Sequence, residues 1–207
     1  MRAYIFGGAY IRDYSKINIE KNSFIICADS GLKHVQNLKL LPSCILGDFD
    51  SYYGDIPYTN VEVIKYPKEK DDTDLMIAVK YAIEKKYDDI VIYGALGQRL
   101  DHTFASVQTL NYIYEQGLTG VLVGDDDIVM IQKKGICEYS KKEDYYFSIF
   151  NMTGKSTKIS INGFKYNVNK ALISNFFPIG VSNEILNEEA EIEVISGELL
   201  IIYSKMN

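Results

Sequence analysis

Over the first 124 residues, short apolar runs are each cut off by glycine or acidic clusters, with helical patterns between them. The stretch 46–74 opens with Gly47-Asp48-Phe49-Asp50-Ser51, just after Ile45-Leu46. It closes with Lys70-Asp71-Asp72-Thr73-Asp74, shortly after Val61-Glu62-Val63-Ile64. A third cluster, Gly97-Gln98-Arg99-Leu100-Asp101-His102, follows Ile90-Val91-Ile92-Tyr93. Strands alternating with helices predict a mainly parallel sheet flanked by helices. Ligands of such sheets gather at the carboxyl ends of the strands, so the three clusters are expected to meet at one sheet edge. Crowded carboxylates repel one another unless a cation neutralises them. Hard oxygens of this kind suit Mg²⁺, which keeps several waters and shares its coordination with substrate phosphates.

The remaining elements follow the same grammar. Residues 3–6 read as a first strand ended by Gly7-Gly8, and 24–28 as a second, followed by Asp29-Ser30-Gly31. Leu32, Val35 and Leu38 then recur at helical spacing. Asp29 or Ser30 is placed to cap that helix, and the same geometry also receives an anion or a ribose hydroxyl. Leu75, Met76, Val79, Ala82 and Ile83 form an apolar helical face, with Asp72 and Thr73 as candidate caps. A further helix runs from about 101 to about 116 and stops at Gly117, before a strand at 121–123. Past Asp127 the texture changes to strand-like runs at 128–131, 145–150, 158–161, 192–195 and 199–203, with turns at Asn162-Gly163 and Ser196-Gly197. The expected organisation is an α/β domain over 1–126 and an all-β domain over 127–207, hinged at Asp125-Asp126-Asp127.

Composition narrows the function classes. With 22 Lys and Arg against 28 Asp and Glu, the net charge is −6 and no basic run appears, which argues against nucleic acid or an anionic membrane as partner. Cys27 and Cys44 lie in apolar runs and read as core residues; with Cys137 they offer no metal spacing, which suits a reducing, cytoplasmic setting. Nothing approaches a transmembrane length. Arg99, the only arginine after Arg12, suits bidentate phosphate contact, and Lys70 is a second phosphate candidate. His102 reads equally as a phosphate or proton group and as an ordinary helix-start residue, whereas His34 reads as a bystander. A phosphatase of the haloacid dehalogenase type would share Asp48-Phe49-Asp50, but Gly47 breaks the strand that such a site needs, and the other clusters stay unexplained. A nucleotide-binding sensor is the alternative outside enzymes.

Five pieces in this order carry a resemblance: Ala28-Asp29-Ser30-Gly31, the 47–51 cluster, the 70–74 cluster, Gly94-Ala95-Leu96 with the 97–102 cluster, and Gly180-Val181-Ser182-Asn183-Glu184. The chain resembles the thiamine pyrophosphokinase family over nearly its whole length, with a weaker echo at Gly163-Phe164-Lys165-Tyr166. The resemblance implies a Rossmann-like catalytic domain, a C-terminal β-sandwich that helps bind thiamine, and a homodimer with active sites between subunits. It also implies transfer of a pyrophosphoryl group from ATP to the thiamine hydroxyl, with Mg²⁺ as cofactor. Asp48, Asp50, Asp71, Asp74 and Asp101 fall on the family's acidic positions. Metal binding is expected of Asp48, Asp50, Asp71 and Asp101, and catalytic roles of Asp71, Asp74, Asp101 and Arg99. Nucleotide contacts are expected of Gly7, Gly8, Asp29, Ser30, Gly31, Lys70, Gln98 and His102. Ser182 and Asn183 match the family's thiamine-contacting pair, and Phe176 and Phe177 are candidates for stacking on its rings. Family members often have glycine where Ser30 and Gln98 stand, and an acidic residue where Met76 stands.

Overall fold

The structure is a computed structural model that describes residues 1–48, 58–67, 69, 71–97 and 99–206. The expected site residues Asp50, Lys70 and Gln98 lie outside the described residues. The chain divides into two units, Met1–Asp125 and Asp126–Asn207.

The first unit runs β1 (Arg2–Phe6), β2 (Phe24–Ala28), α1 (Leu32–Asn37), β3 (Cys44–Gly47), β4 (Glu62–Lys65), α2 (Asp74–Glu84), β5 (Asp89–Tyr93), α3 (Leu100–Glu115) and β6 (Thr119–Val123). Its strands lie in the order β4-β3-β2-β1-β5-β6, and each neighbouring pair is parallel. The order runs one way from β1 to β4 and the other way from β5 to β6. The direction therefore reverses between β1 and β5, where the following loops part and leave a crevice. Both sheet faces are covered, so β1, β2, β3 and β5 are near-continuous apolar runs rather than alternating ones. Tyr4, Phe6, Ile25, Cys27, Ile45, Val91 and Tyr93 pack with Leu32 and Val35 of α1 in one core. Helix α2 lies on β1, β2 and β3 and buries Ile77, Ala78, Val79, Tyr81 and Ala82.

Magnitudes separate what places these elements from what trims them. Ile5, Ile26, Ile90 and Ile92 are fully buried, each worth about 1.5–3 kcal/mol. The Thr73 hydroxyl accepts from the Met76 N–H at 3.2 Å and caps α2, worth about 1 kcal/mol. The core sets where α2 lies, and the cap sets where it starts. Asp72, the other candidate cap, instead accepts from Lys80 Nζ at 2.6 Å. At α1 the structure corrects the sequence reading. The N-cap position is Gly31, with no side-chain cap bond, and Asp29–Gly31 forms a 3₁₀ turn ahead of the helix. Asp29 opens that turn with a left-handed φ of 47°.

The second unit contains β7 (Asp127–Gln132), β8 (Gly135–Ser140), β9 (Tyr145–Asn151), β10 (Thr157–Asn162), β11 (Val168–Ile173), β12 (Glu189–Ser196) and β13 (Leu199–Lys205). Strand β13 pairs antiparallel with β7 and β9, and a four-stranded antiparallel sheet has the order β11-β10-β12-β8. Side chains from both sheets share one core: Phe147, Ile149, Leu199, Ile201 and Tyr203 from one, and Tyr139, Ile159, Ile161, Ile192 and Val194 from the other. Phe147 lies at its centre, with edge contacts to Tyr139, Phe164 and Tyr203 at centroid separations of 5.0, 4.9 and 4.8 Å. Strands β8 and β11 are additions to the sequence reading. Their residues are mostly exposed or half-buried, so neither shows the alternation that reveals a strand.

Candidate active site

A cavity of about 390 Å³ opens where β1, β2 and β5 end and α2 and α3 begin. Its backbone walls come from 7–9, 28–30, 73–75 and the loop after β5, and its side chains include Asp29, Asp74, Arg99, His102 and Ser106. This is the crevice that the reversal of strand order creates, and α2 and α3 begin at it. Helix starts present N–H groups and partial positive charge, which suits an anion.

The walls are close backbone contacts that only glycine permits. A Cβ on Gly7 would lie 2.6 Å from the Gly94 carbonyl oxygen, and one on Gly94 would lie 2.5 Å from that of Gly7. A Cβ on Gly31 would overlap the Phe6 carbonyl oxygen. The same loops are tied by Gly7 N–H to the Tyr93 carbonyl at 2.8 Å and Ala9 N–H to the Gly94 carbonyl at 2.9 Å. From the α3 side, the buried Ser106 hydroxyl donates to the Ala95 carbonyl at 2.8 Å. Sequence reading did not single out Ser106; its one signal was a spacing of one helical turn from His102.

The expected polar residues divide by position. Gly7, Gly8, Asp29, Ser30, Asp74, Arg99 and His102 line the cavity. The Oδ1 atoms of Asp29 and Asp74 are buried, whereas Arg99 and His102 are exposed. Gly31 stands behind the wall against Phe6. Asp48, half-buried, directly follows β3. Asp71 is exposed, two residues ahead of the cap Thr73, and is not part of the lining. Asp101 also lies outside the lining and is engaged by Arg99, whose Nη2 and Nε reach its carboxylate at 2.6 and 3.1 Å. That hydrogen bond holds the Asp101 carboxyl below its usual range against the opposing effect of desolvation, with lesser help from the His102 N–H. The same bond raises the Arg99 guanidinium.

His34, read from the sequence as a bystander, lies outside the cavity lining. Its ring is buried, with 1% exposure, and contacts the Ala9 carbonyl at 2.8 Å and the Tyr14 hydroxyl at 2.7 Å. Burial first, then the neighbouring Lys33, lowers its pKa to about 4, against the bond to Ala9 and a weaker pull from Asp125.

In the β unit, the Asn183 side chain is bonded to its own surroundings. It accepts from the N–H groups of Tyr166 and Glu184 at 3.0 and 2.9 Å, and donates to the Tyr166 carbonyl at 3.0 Å. Its backbone pairs with Phe147. Ser182 takes a φ of 58° and donates its N–H to Ser148 Oγ at 3.0 Å. Phe176 and Phe177 are 88% and 66% exposed, the former among the most exposed apolar side chains of the unit.

A crevice at the order reversal of a parallel sheet, with two helices starting at it, on a chain that continues into a β-rich unit, defines an α/β protein whose strand-end site suits an anionic ligand. Comparison with known proteins narrows the class. Residues 16–122 match the family model described as thiamin pyrophosphokinase, catalytic domain, and residues 136–199 match the one described as thiamin pyrophosphokinase, vitamin B1 binding domain. The chain belongs to the thiamin pyrophosphokinase family. It is 26% identical over 190 residues to a thiamine pyrophosphokinase of Bacillus subtilis, covering 89% of each chain. With thiamin pyrophosphokinase 1 of Caenorhabditis elegans it shares 24% identity over 181 residues, covering 82% of this chain and 74% of that one. The fold superposes on the crystal structure of a Bacillus subtilis thiamine pyrophosphokinase with a TM-score of 0.90 at 24% identity, over 100% of both chains. On the Candida albicans thiamin pyrophosphokinase the TM-score is 0.80 at 17% identity, over 99% of this chain and 90% of that one.

Proposed function

We propose that the chain is an ATP:thiamine diphosphotransferase, which moves the terminal pyrophosphoryl group of ATP onto the hydroxyl of thiamine to give thiamine diphosphate and AMP. The observation that carries this reading is the cavity itself. It joins two helix starts and the Arg99 guanidinium to a buried carboxylate oxygen of Asp74, in a chain with both family domains. In the reaction, the hydroxyl oxygen bonds to the β-phosphorus, the bridging bond to the α-phosphate breaks, AMP carries away that electron pair, and the hydroxyl proton passes to a carboxylate. Asp71 and Asp101 are the candidates for that base. Arg99 offsets charge on the phosphate oxygens. We read the parallel sheet as Rossmann-like and the β unit as the thiamine-binding domain, with Ser182 and Asn183 beside the acceptor.

Magnesium belongs to this reading as a cofactor. Among the described residues, no three His, Cys, Asp or Glu side chains converge as a closed metal cage. An ion that arrives on a triphosphate needs only one or two carboxylates, and Asp48 and Asp71 fit that demand. Asp50 completes the expected set, and Asp101 already holds Arg99 as its counter-ion. When bound, the ion would neutralise phosphate charge during transfer.

We also place the protein in the cytoplasm, as a homodimer with active sites between subunits. In support, the described residues contain no helix long and apolar enough to cross a membrane, and Phe176, Phe177, Ile179 and Val181 form an exposed apolar row. The test is a product assay with Mg-ATP and thiamine that separates AMP, ADP and phosphate. AMP and thiamine diphosphate in equal amounts, dependent on Mg²⁺, are expected. ADP with thiamine monophosphate, or ATP binding without turnover, would overturn the assignment.

A further inference from the structure

Three residues of the cavity wall, Gly7, Gly8 and Ala9, leave β1 without any regular structure to hold them. Their N–H side is fixed by the carbonyls of Tyr93 and Gly94. Their carbonyl side is held from α1, where Lys33 Nζ donates to the Gly8 carbonyl at 3.0 Å and the His34 ring contacts the Ala9 carbonyl at 2.8 Å. A carbonyl only accepts, so His34 Nε2 carries a proton, and in the neutral ring Nδ1 is then an acceptor. That fits the other side of the ring. The Tyr14 oxygen accepts from Asn37 Nδ2 at 2.9 Å, which leaves its own proton to donate to Nδ1 at 2.7 Å. One arrangement of protons therefore satisfies Asn37, Tyr14, His34 and Ala9 together, with the imidazole neutral.

We propose that His34 is a positioning residue for nucleotide binding: by holding the Ala9 carbonyl, it fixes the 7–9 segment in the shape that receives the triphosphate. The inference rests on the assignment of the cavity to ATP. The buried ring bonds directly to a residue of the cavity wall. Tyr14 and Asn37 lie outside the lining and act through His34, setting which nitrogen bears the proton.

The test compares His34→Phe, which keeps the bulk and loses the donor, with His34→Gln, whose amide can still donate. In nucleotide-free protein, the Ala9 amide should exchange with solvent about tenfold faster in H34F, the effect of losing one buried hydrogen bond. The KM for Mg-ATP should rise about five- to tenfold with kcat within about twofold, a loss of binding rather than of chemistry. H34Q should recover most of both. Wild-type Ala9 protection and KM in folded H34F would overturn the proposal, as would equal losses in H34F and H34Q confined to melting temperature and kcat. If H34F does not fold, Tyr14→Phe keeps the ring buried but frees its tautomer. A KM raised severalfold supports the proposal, and an unchanged KM with an unchanged Nε2–H signal in ¹⁵N spectra refutes it. Failure of wild-type protein to turn over ATP would sink the functional assignment, while Ala9 exchange would still report on the brace.

Discussion

Around the cavity of the α/β unit, side chains that face the ligand space are distinct from the groups that hold the walls. Gly31, His34 and Lys33 fix the loops from behind, Ser106 ties the Ala95 carbonyl from within the lining, and Asp29, Asp74, Arg99 and His102 offer the charged and ring groups of the cavity. In the β unit the proposed thiamine contact and the structural clip are one residue: Asn183 joins Tyr166 to the 183–184 backbone. The contrast says that substitutions at the first site can separate binding from folding, whereas those at the second cannot.

The sharpest way to break the contrast is at Gly31. Gly31→Ala would drive a methyl group into the Phe6 carbonyl, and overlap with rigid backbone typically costs several kcal/mol, of the order of 3 or more. Loss of soluble folded protein, or a melting temperature lower by well over ten degrees, is expected; a normal melting curve would show that this wall is pliable. At Asp74 the effect should fall on chemistry. Asp74→Asn keeps the shape and should lower kcat by about 100-fold or more with an unchanged circular dichroism spectrum. Near-wild-type turnover would remove Asp74 from the reaction.

Asn183→Ala should show coupled losses: about 1–3 kcal/mol of stability, from the orphaned Tyr166 and Glu184 groups, together with a raised KM for thiamine and an unchanged KM for ATP. A raised thiamine KM without any loss of stability would show that the clip and the contact are separable after all. The smallest effect is on pH. The folded His34 pKa of about 4 lies below its ordinary 6.5, so its contribution to stability is complete above pH 6.5 and is lost as pH falls towards 4. The groups facing the ring are Tyr14, Lys33 on its own helix and Asp125 after β6. Urea titrations should show a decline across pH 6.5 to 4 in wild type that is shallower in H34Q; identical slopes would mean His34 titrates normally.

What the sequence revealed, and what it hid, follows from the range of the interactions. Buried parallel strands announce themselves as apolar runs, so 24–28 coincides with β2, and the glycine at 117, with φ of 76°, ends α3 as its position indicated. Exposed edge strands do not: Ile136 of β8 is 61% exposed, and its pairing with β12 is a tertiary fact. The motifs marked most of the cavity because strand-end loops hold both the glycines and the polar groups. The brace was hidden because Ala9 and His34 meet only after β1 and α1 pack, and a lone histidine between Lys33 and Val35 carries no sequence signature. Neither Asp29 nor Ser30 caps α1 because a 3₁₀ turn over Asp29–Gly31 precedes the helix and puts Gly31 at the cap.

The most direct test of the account follows backbone amide signals by NMR while wild-type protein is titrated with magnesium and a non-hydrolysable ATP analogue. The account predicts the largest shifts at residues 7–9, at 94–97 and at the start of α2, with saturation at one equivalent per chain. Shifts confined to the β unit, or scattered weakly over the surface without saturation, would contradict it.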